Sequence, residues 1–488
     1  SVSITNSTFD ANTTDIYGGA IRLYGSAVVD ITDSTFTGNI GVNGGAVYAE
    51  NIVDLNITGS TFSDGNSGSL YGGALFVMGS GTDLTVDDCY FIDNITYNDG
   101  GGIYINLASS VSISNSTFSG NIAAGTTAST PKGGGLYIYS AGTTSISGSF
   151  FTANEAESSG GAIAIYSNNS ATITNTTFGD LENEALRNSA GSGGAITMDG
   201  TNVTLNIDGE SVFANNYASS RGGAIYANTT NGILNISDTS FVQNSAISAA
   251  GGIYVSGTGH AFLADNCTFT GNTTTNDGGA VCAGTMASVT ITGSTFSNNS
   301  ATGATASYPH GGAIFLNAIT NTSISDSVFT RNESEYMGGA IAFYGSGTAV
   351  VDNSTFGNLN DPLLKNISKY GGAISQAGTG TSSLTISNSD IANNHAILNG
   401  GGIYNISVAS SLEITDSVIA SNTSDNYGAG IFANANGATY TISGSTIENN
   451  NAQLRGGGLY LNGGLDETTS TYASATITGV TIAGNSAD

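Results

Sequence analysis

The sequence predicts an all-β solenoid, a chain wound into stacked coils of parallel strands, and three observations predict it. First, a glycine pair followed by a small residue and an aliphatic recurs from end to end, as in Gly18-Gly19-Ala20-Ile21, Gly44-Gly45-Ala46-Val47 and Gly72-Gly73-Ala74-Leu75. The small residue falls at 20, 46, 74, 102, 135, 162, 195, 224, 252, 280, 313, 340, 373, 402, 430 and 458, which marks about 16 coils of 26–33 residues. A fixed period in this range belongs to units that bury their apolar face only against their neighbours. Second, apolar residues alternate within the coils, Ile103 with Ile105 and Val111 with Ile113, in segments rich in Thr, Val, Ile and Tyr. That is a strand period in strand-forming residues. Third, Phe-x-x-Asn closes most coils, as Phe36/Asn39, Phe118/Asn121 and Phe296/Asn299, with Ile in place of Phe at Ile391/Asn394 and beyond.

The elements of a coil follow in order. The paired glycines supply a corner where positive φ is needed or backbones approach closely. A glycine strand and further short strands then run to the Phe, which fills the interior at the same point of every turn. The Asn is expected to hold left-handed backbone at the next corner and to bond the equivalent amide above and below. Three short strands per coil of this length fit a parallel β-helix, taken as right-handed, rising ~4.8 Å per coil to a rod of ~75 Å. The missing Leu ladder argues against a leucine-rich repeat, and the lack of four-strand blades against a propeller.

A second period is nested on the first. The coil intervals 28, 28, 33, 27, 33 and 29 repeat as a block of 178 residues, or ~29 Å of rise. The expected organisation is a single β-helix over 1–488, with a partial block at 1–43, full blocks at 44–221 and 222–399, and a partial block at 400–488. Two decorations recur with the block. One is a long loop ending in Pro131-Lys132 and again in Pro309-His310. The other follows Phe178 and Phe356, where Phe-x-x-Asn is lost and an extra segment carries Leu186-Arg187 and Leu364-Lys365. Both read as lateral contacts spaced along the rod.

A third feature points to contact. The position after the aliphatic of the glycine strand faces outward, yet it reads Tyr48, Phe76, Tyr104, Tyr137, Tyr226, Tyr254, Phe315, Tyr404, Phe432 and Tyr460. Small residues, Ala164, Thr197, Ala342 and Ser375, interrupt this stripe where the extra segment could dock. An exposed aromatic stripe marks a partner surface, and a covered one needs neighbouring loops folded over it. The chain begins and stops in mid-coil, and bare coil ends invite pairing. The expected partners are therefore copies of itself or further coils of a longer chain, with surface glycans as another partner for the rings.

Chemistry is sparse. Lys and Arg number 8 against 36 Asp and Glu, a net charge of −28, which leaves no clustered cations for nucleic acid. No transmembrane run is visible, so no membrane insertion by this segment is expected. The three histidines, His260, His310 and His395, are scattered, and Asp87-Asp88 is the one neat carboxylate pair. Neither an enzyme nor a cofactor or metal site is expected. Cys89 and Cys267 stand one block apart and cannot pair with each other; with Cys282 they read as buried free thiols. Among Asn-x-Ser/Thr sequons, Asn56, Asn115, Asn168, Asn228, Asn321, Asn366 and Asn405 are candidate glycosylation sites, while Asn94 and Asn272 sit at corners and read as poor acceptors.

Gly-Gly-Ala-[Ile/Leu/Val] together with Phe-x-x-Asn resembles the polymorphic outer-membrane protein repeat of chlamydial autotransporter adhesins. The fuller string, Asn-Ser-Thr-Phe-x-x-Asn followed by Gly-Gly-Ala-Ile-Tyr, is even more similar to adhesin-like surface proteins of methanogenic archaea. The resemblance covers essentially the whole chain and implies an extracellular or cell-surface β-helix. The expected function is a structural one, a stalk or filament subunit. The alternative is an adhesin for glycans or a host surface, and a polysaccharide-degrading β-helix enzyme is a remote third.

Overall fold

A computed structural model describes residues 1–25, 27–125, 130–167, 169–303, 308–378, 382–463, 465–466 and 471–488. Its contacts divide the chain into two units, Ser1–Ala246 and Ile247–Asp488, and each is a parallel β-solenoid.

One coil of the first unit shows the plan. Val47–Glu50 and Asp54–Thr58 lie in the first wall, Thr61–Ser63 forms the second, and Ser67–Tyr71 the third. Each strand pairs in parallel with its equivalent one coil on: Val47 with Leu75, Leu55 with Leu84, Phe62 with Phe91, Ser67 with Ile95. The three expected strands are thus three walls, the first broken in two. In Ile103–Ser114 and Leu136–Ser147 the break closes and a single 12-residue strand spans it. The second unit repeats the plan, for example in Ile314–Asn317, Asn321–Ser325, Val328–Thr330 and Glu333–Ser334.

The interior is a set of columns. In the first unit Phe36, Phe62, Phe91, Phe118, Phe151, Phe178 and Phe213 are all 0% exposed. Neighbouring rings stack with centroids 4.6–5.1 Å apart, a separation set by the spacing of parallel strands. In the second unit Phe296, Phe329 and Phe356 continue the pattern, and Ile391, Ile419 and Ile447 then take over in register. Full burial of such a side chain stabilises the fold by roughly 1.5–3 kcal/mol.

The corner asparagines form the second column. Asn39, Asn66, Asn94, Asn121, Asn154 and Asn188 are each 0% exposed. The Nδ2 of Asn66 donates to Asn94 Oδ1 at 2.9 Å and to the Phe36 carbonyl at 2.9 Å. The backbone N–H of Asn39 donates to Asn66 Oδ1 at 3.0 Å. The buried amide groups of these asparagines are thereby hydrogen-bonded, as burial demands. The left-handed backbone expected at Asn lies one residue earlier, at Gly38 (φ 60), Asp93 (φ 54), Ala153 (φ 54) and Arg331 (φ 56). A side chain that must point inward to bond cannot also make the turn, so its neighbour turns instead.

The corner is not lost after Phe178 and Phe356. Asn188 and Asn366 occupy it, each bonded to the asparagine of the next coil, Asn216 at 3.0 Å and Asn394 at 2.9 Å. The extra segment bulges out between the Phe and its Asn.

A serine column escaped the sequence reading. The Ser34 N–H donates to Ser60 Oγ at 3.1 Å, and each hydroxyl donates to the carbonyl two residues before it, Ser34 to Thr32 at 2.9 Å and Ser60 to Thr58 at 3.0 Å. Cys89 and Cys267 fill places in this column, with their N–H groups on Ser116 and Ser294 hydroxyls. All three cysteines are buried thiols, and burial pushes the Cys89 thiol up to about 11.

Candidate contact surface

The aromatic stripe is covered. Tyr48, Phe76, Tyr104 and Tyr137 are 3–8% exposed and cluster with Ala164, while Phe315, Tyr404 and Phe432 are 5–7% exposed. Tyr226, Tyr254 and Tyr460 are half-buried. These ten positions are therefore not the open stripe expected of them. Over several rings the cover comes from a tyrosine just before a glycine pair. The first glycine has positive φ, Gly72 at 65 and Gly371 at 68, and this turn lays the preceding side chain over the outer face of the glycine strand. Tyr17 stacks on Tyr48 at 4.4 Å, Tyr71 meets Tyr104 at 4.6 Å, and Tyr370 meets Tyr404 at 4.9 Å. Desolvation raises the Tyr104, Tyr137 and Tyr404 phenols, so they stay neutral.

Tyr166 packs against the cluster that includes Ala164, and Tyr344 stands near Phe315 in the second unit. Tyr166 lies 5.6 Å from Tyr137, and Tyr344 lies 6.3 Å from Phe315. The extra segment packs elsewhere, against the corner formed by Ala153 and Asn215, whose amides bond the Leu186 and Asp180 carbonyls at 2.8 and 2.7 Å.

The two proline loops are anchored alike. Residues 126–129 and 304–307 lie outside the described residues. Pro131 and Pro309 are buried, and their carbonyls accept from Ser158 at 3.0 Å and Tyr336 at 3.1 Å. The Lys132 N–H donates to Asp99 Oδ1 and the His310 N–H to Asp277 Oδ1, both at 3.0 Å. Beyond the backbone they differ. The Lys132 ammonium sits over the Tyr166 ring at 4.3 Å, a cation–π contact. His310 holds Asp277 through Nδ1 at 2.9 Å and meets Phe315 and Tyr344 at 5.3 and 5.8 Å. Tyr308, 64% exposed, and Tyr336 extend this second cluster with rings 4.6 Å apart. Burial pushes the Asp99 carboxyl up to about 6, against the pull of Lys132.

Beside the first extra segment a groove of about 440 Å³ opens over Ala156 and Ala190, lined by Glu155, Glu157, Arg187 and Tyr217. The Arg187 guanidinium lies 4.7 Å from the Tyr217 ring centre and bonds Glu184 at 2.8 Å. Of the chain's 8 cations, Arg22, Lys132, Arg187 and Lys369 all stand over tyrosine rings. Leu186, Arg187, Leu364 and Lys365 are each half-buried at the base of their segment.

Among the sequons, Asn115, Asn228 and Asn321 are exposed and Asn56 is half-buried. Asn168 lies outside the described residues. Asn366 and Asn405 are 0% exposed: the first is a corner amide and the second donates to Gln376 inside the solenoid. Neither amide is open to a glycan in the folded chain. Asn94 and Asn272 are likewise buried corner amides. Among the described residues no cluster of three or more His, Cys, Asp or Glu side chains is gathered to hold a metal, and no helix is long and apolar enough to cross a membrane.

A family model described as the right-handed beta helix region matches residues 1–178, 98–296 and 242–487. The chain belongs to the right-handed β-helix family. The hand of a right-handed β-helix agrees with the sequence expectation, and the matched segments together run almost the length of the chain. Neither the curated proteins nor the solved structures yielded a match.

Proposed function

We propose that this right-handed β-helix is a non-enzymatic, extracellular structural protein, a stalk or filament subunit that makes repeated contacts along its flank. The observation that carries this reading is the run of inter-coil ladders, one of Phe and then Ile, one of Asn and one chiefly of Ser, in which each coil is both the template and the lid of the next. Such ladders resist shear along their whole length and leave function to the loops. The Gly-Gly-Ala-Ile and Phe-x-x-Asn pairing, similar to the polymorphic outer-membrane protein repeat and to archaeal adhesin-like surface proteins, supports a place at the cell surface. Electron microscopy of native material, with antibody labelling of intact cells, tests it. The expected result is surface filaments much longer than one chain, with layers of ~4.8 Å; a protein confined to the cell interior would overturn the reading.

A second reading, an adhesin, is favoured by one place. Tyr308 and Tyr344 are 64% and 42% exposed beside Tyr336, with the Lys369 ammonium 5.6 Å from the Tyr336 ring centre. Open rings of this kind stack on the C–H faces of sugars. Retention on a glycan array that is lost in Tyr308→Ala supports the adhesin; equal retention by wild type and variant removes these rings from it.

A further inference from the structure

The two extra segments are one scaffold with two different faces. Each contains a single 3-10 turn, Glu184–Leu186 and Pro362–Leu364, opened by a side-chain cap with nearly the same backbone angles. The Asn183 side chain accepts from the Ala185 N–H at 3.1 Å, and the Asp361 side chain from the Leu363 N–H at 2.9 Å. Both turns leave through a residue at φ −66 and ψ 144, Arg187 and Lys365. Both are pinned by the same corner amides. Asn215 Nδ2 donates to the Asp180 carbonyl at 2.7 Å, and Asn393 Nδ2 to the Asn358 carbonyl at 2.6 Å. The backbone N–H groups of Ala153 and Arg331 hold the Leu186 and Leu364 carbonyls.

On this shared frame the surface has diverged. The first segment carries Asp180, Glu182 and Glu184, and its Arg187 is spent on Glu184 and on the Tyr217 ring. The second has Asn358, Asn360 and Pro362 at those three places, so only Asp361 is acidic. It gains Arg331 where the first has Ala153, and the Arg331 Nε donates to the Leu363 carbonyl at 3.2 Å. Ala185 becomes Leu363, which is 74% exposed, and Leu359 beside it is 48% exposed. A leucine held open on a rigid turn, rimmed by Arg331 and Lys365 in a chain of net charge −28, is an unpartnered apolar contact with a cationic edge. The first segment offers the complement, an acidic rim around Leu181, itself 54% exposed.

We propose that the second extra segment of one copy docks against the first extra segment of another, Leu363 and Leu359 meeting Leu181 while Arg331 and Lys365 face Glu182 and Asp180. This assignment rests on the structural reading above and names its lateral contact. Because donor and acceptor faces differ, the contact is heterologous, and a joined pair retains one unused face of each kind, one on each copy. Such contacts propagate as open chains unless their rotation closes them into rings. Opposite charge on the rims speeds encounter and sets the register, and the leucines supply the short-range term.

The test is sedimentation velocity of the full chain over a concentration series, beside Leu363→Asn, Lys365→Glu with Arg331→Glu, and Glu182→Lys. Wild type is expected to self-associate, and Leu363→Asn to weaken this by roughly ten- to a hundredfold. All four substitutions are at exposed or half-buried places, so an unchanged thermal midpoint verifies folding. Mixing the Lys365→Glu, Arg331→Glu protein with Glu182→Lys should restore association that neither shows alone. Oxidised mixtures of Leu363→Cys and Leu181→Cys should cross-link to each other, and not each to itself. A wild type that stays monomeric overturns the pairing, as does a Leu363→Cys protein that cross-links to itself. Native filaments unaffected by Leu363→Asn overturn it too, and in that case the structural reading stands without it.

Discussion

The loop at Pro131-Lys132 and the loop at Pro309-His310 share a backbone and diverge in charge. Each buries a proline, returns its carbonyl to the next coil and bonds a half-buried aspartate through the following N–H. In the first unit a lysine then lies over one tyrosine; in the second a histidine grips the aspartate and sits among Phe315, Tyr336 and Tyr344. The interior beneath them does not diverge in this way: Phe118 and Phe296 are both 0% exposed in matching stacks. The comparison teaches where a duplicated solenoid is free to change. The inter-coil ladders bind every position to the coil above and below, so a change inside is felt twice. A flank loop answers only to its anchor.

The largest effect should fall on that interior. Phe118→Ala and Phe296→Ala each remove a fully buried ring, and each is expected to cost about 3–5 kcal/mol in equilibrium unfolding. The comparison requires the two losses to agree closely. A loss below about 1 kcal/mol at either place would mean that the ring is not in the core. Next come the corner amides. Asn154→Ala and Asn332→Ala remove an Nδ2 that bonds a Phe carbonyl at 2.8 and 2.9 Å and an Oδ1 that serves the previous coil. Leaving those partners dry should cost about 1–3 kcal/mol, again alike in the two units, as read from denaturant midpoints.

These paired positions also mark how far the sequence could be read. The period, the Phe column and the role of Asn were legible because Phe and Asn recur at one spacing and stand out from the background. The serine column was not, since Ser and Thr fill so many other places that Ser34 or Ser116 looks like any of them. The left-handed corner is hidden in the sequence because the residue that turns changes identity, Gly38, Asp93, Ala153 and Arg331 in different coils, while the inward Asn does not. Asn188 does not stand out as a corner because an insertion carries it away from Phe178 in sequence and back to the corner in space. The outward rings were expected to be open because alternation in a strand reports which side a residue faces, not what lies on that side. Here the chain's own previous corner, Tyr17 over Tyr48 and Tyr71 over Tyr104, covers them.

A smaller effect separates the loops by pH. The Asp99 carboxyl is held at about 6, above its ordinary 3.8, chiefly by burial. The folded chain therefore binds that proton more tightly than the unfolded chain, and stability follows the protonated form. Its contribution is full below about pH 4 and is lost as pH rises through about 6. Buried His260, held down at about 4, acts in the opposite sense over the same window, so the test is a difference. The thermal midpoint of wild type should fall relative to that of Asp99→Asn as pH rises. A difference that does not change with pH would place the titration elsewhere.

The smallest effect on stability is the one that isolates contact from folding. Tyr308 is 64% exposed, and Tyr308→Ala should move the unfolding free energy by no more than about 0.5 kcal/mol. Any ligand lost with the ring is then lost from the surface and not from the fold. The matching place in the first unit is Thr130, and Ser158 stands where the second unit has Tyr336. A tyrosine introduced by Thr130→Tyr would stand there without its ring partner. If the second cluster binds through paired rings, Thr130→Tyr should leave binding by the first loop unchanged, whereas Thr130→Tyr with Ser158→Tyr should raise it. A gain from Thr130→Tyr alone would show that one open ring suffices and that the neighbours of His310 only support it.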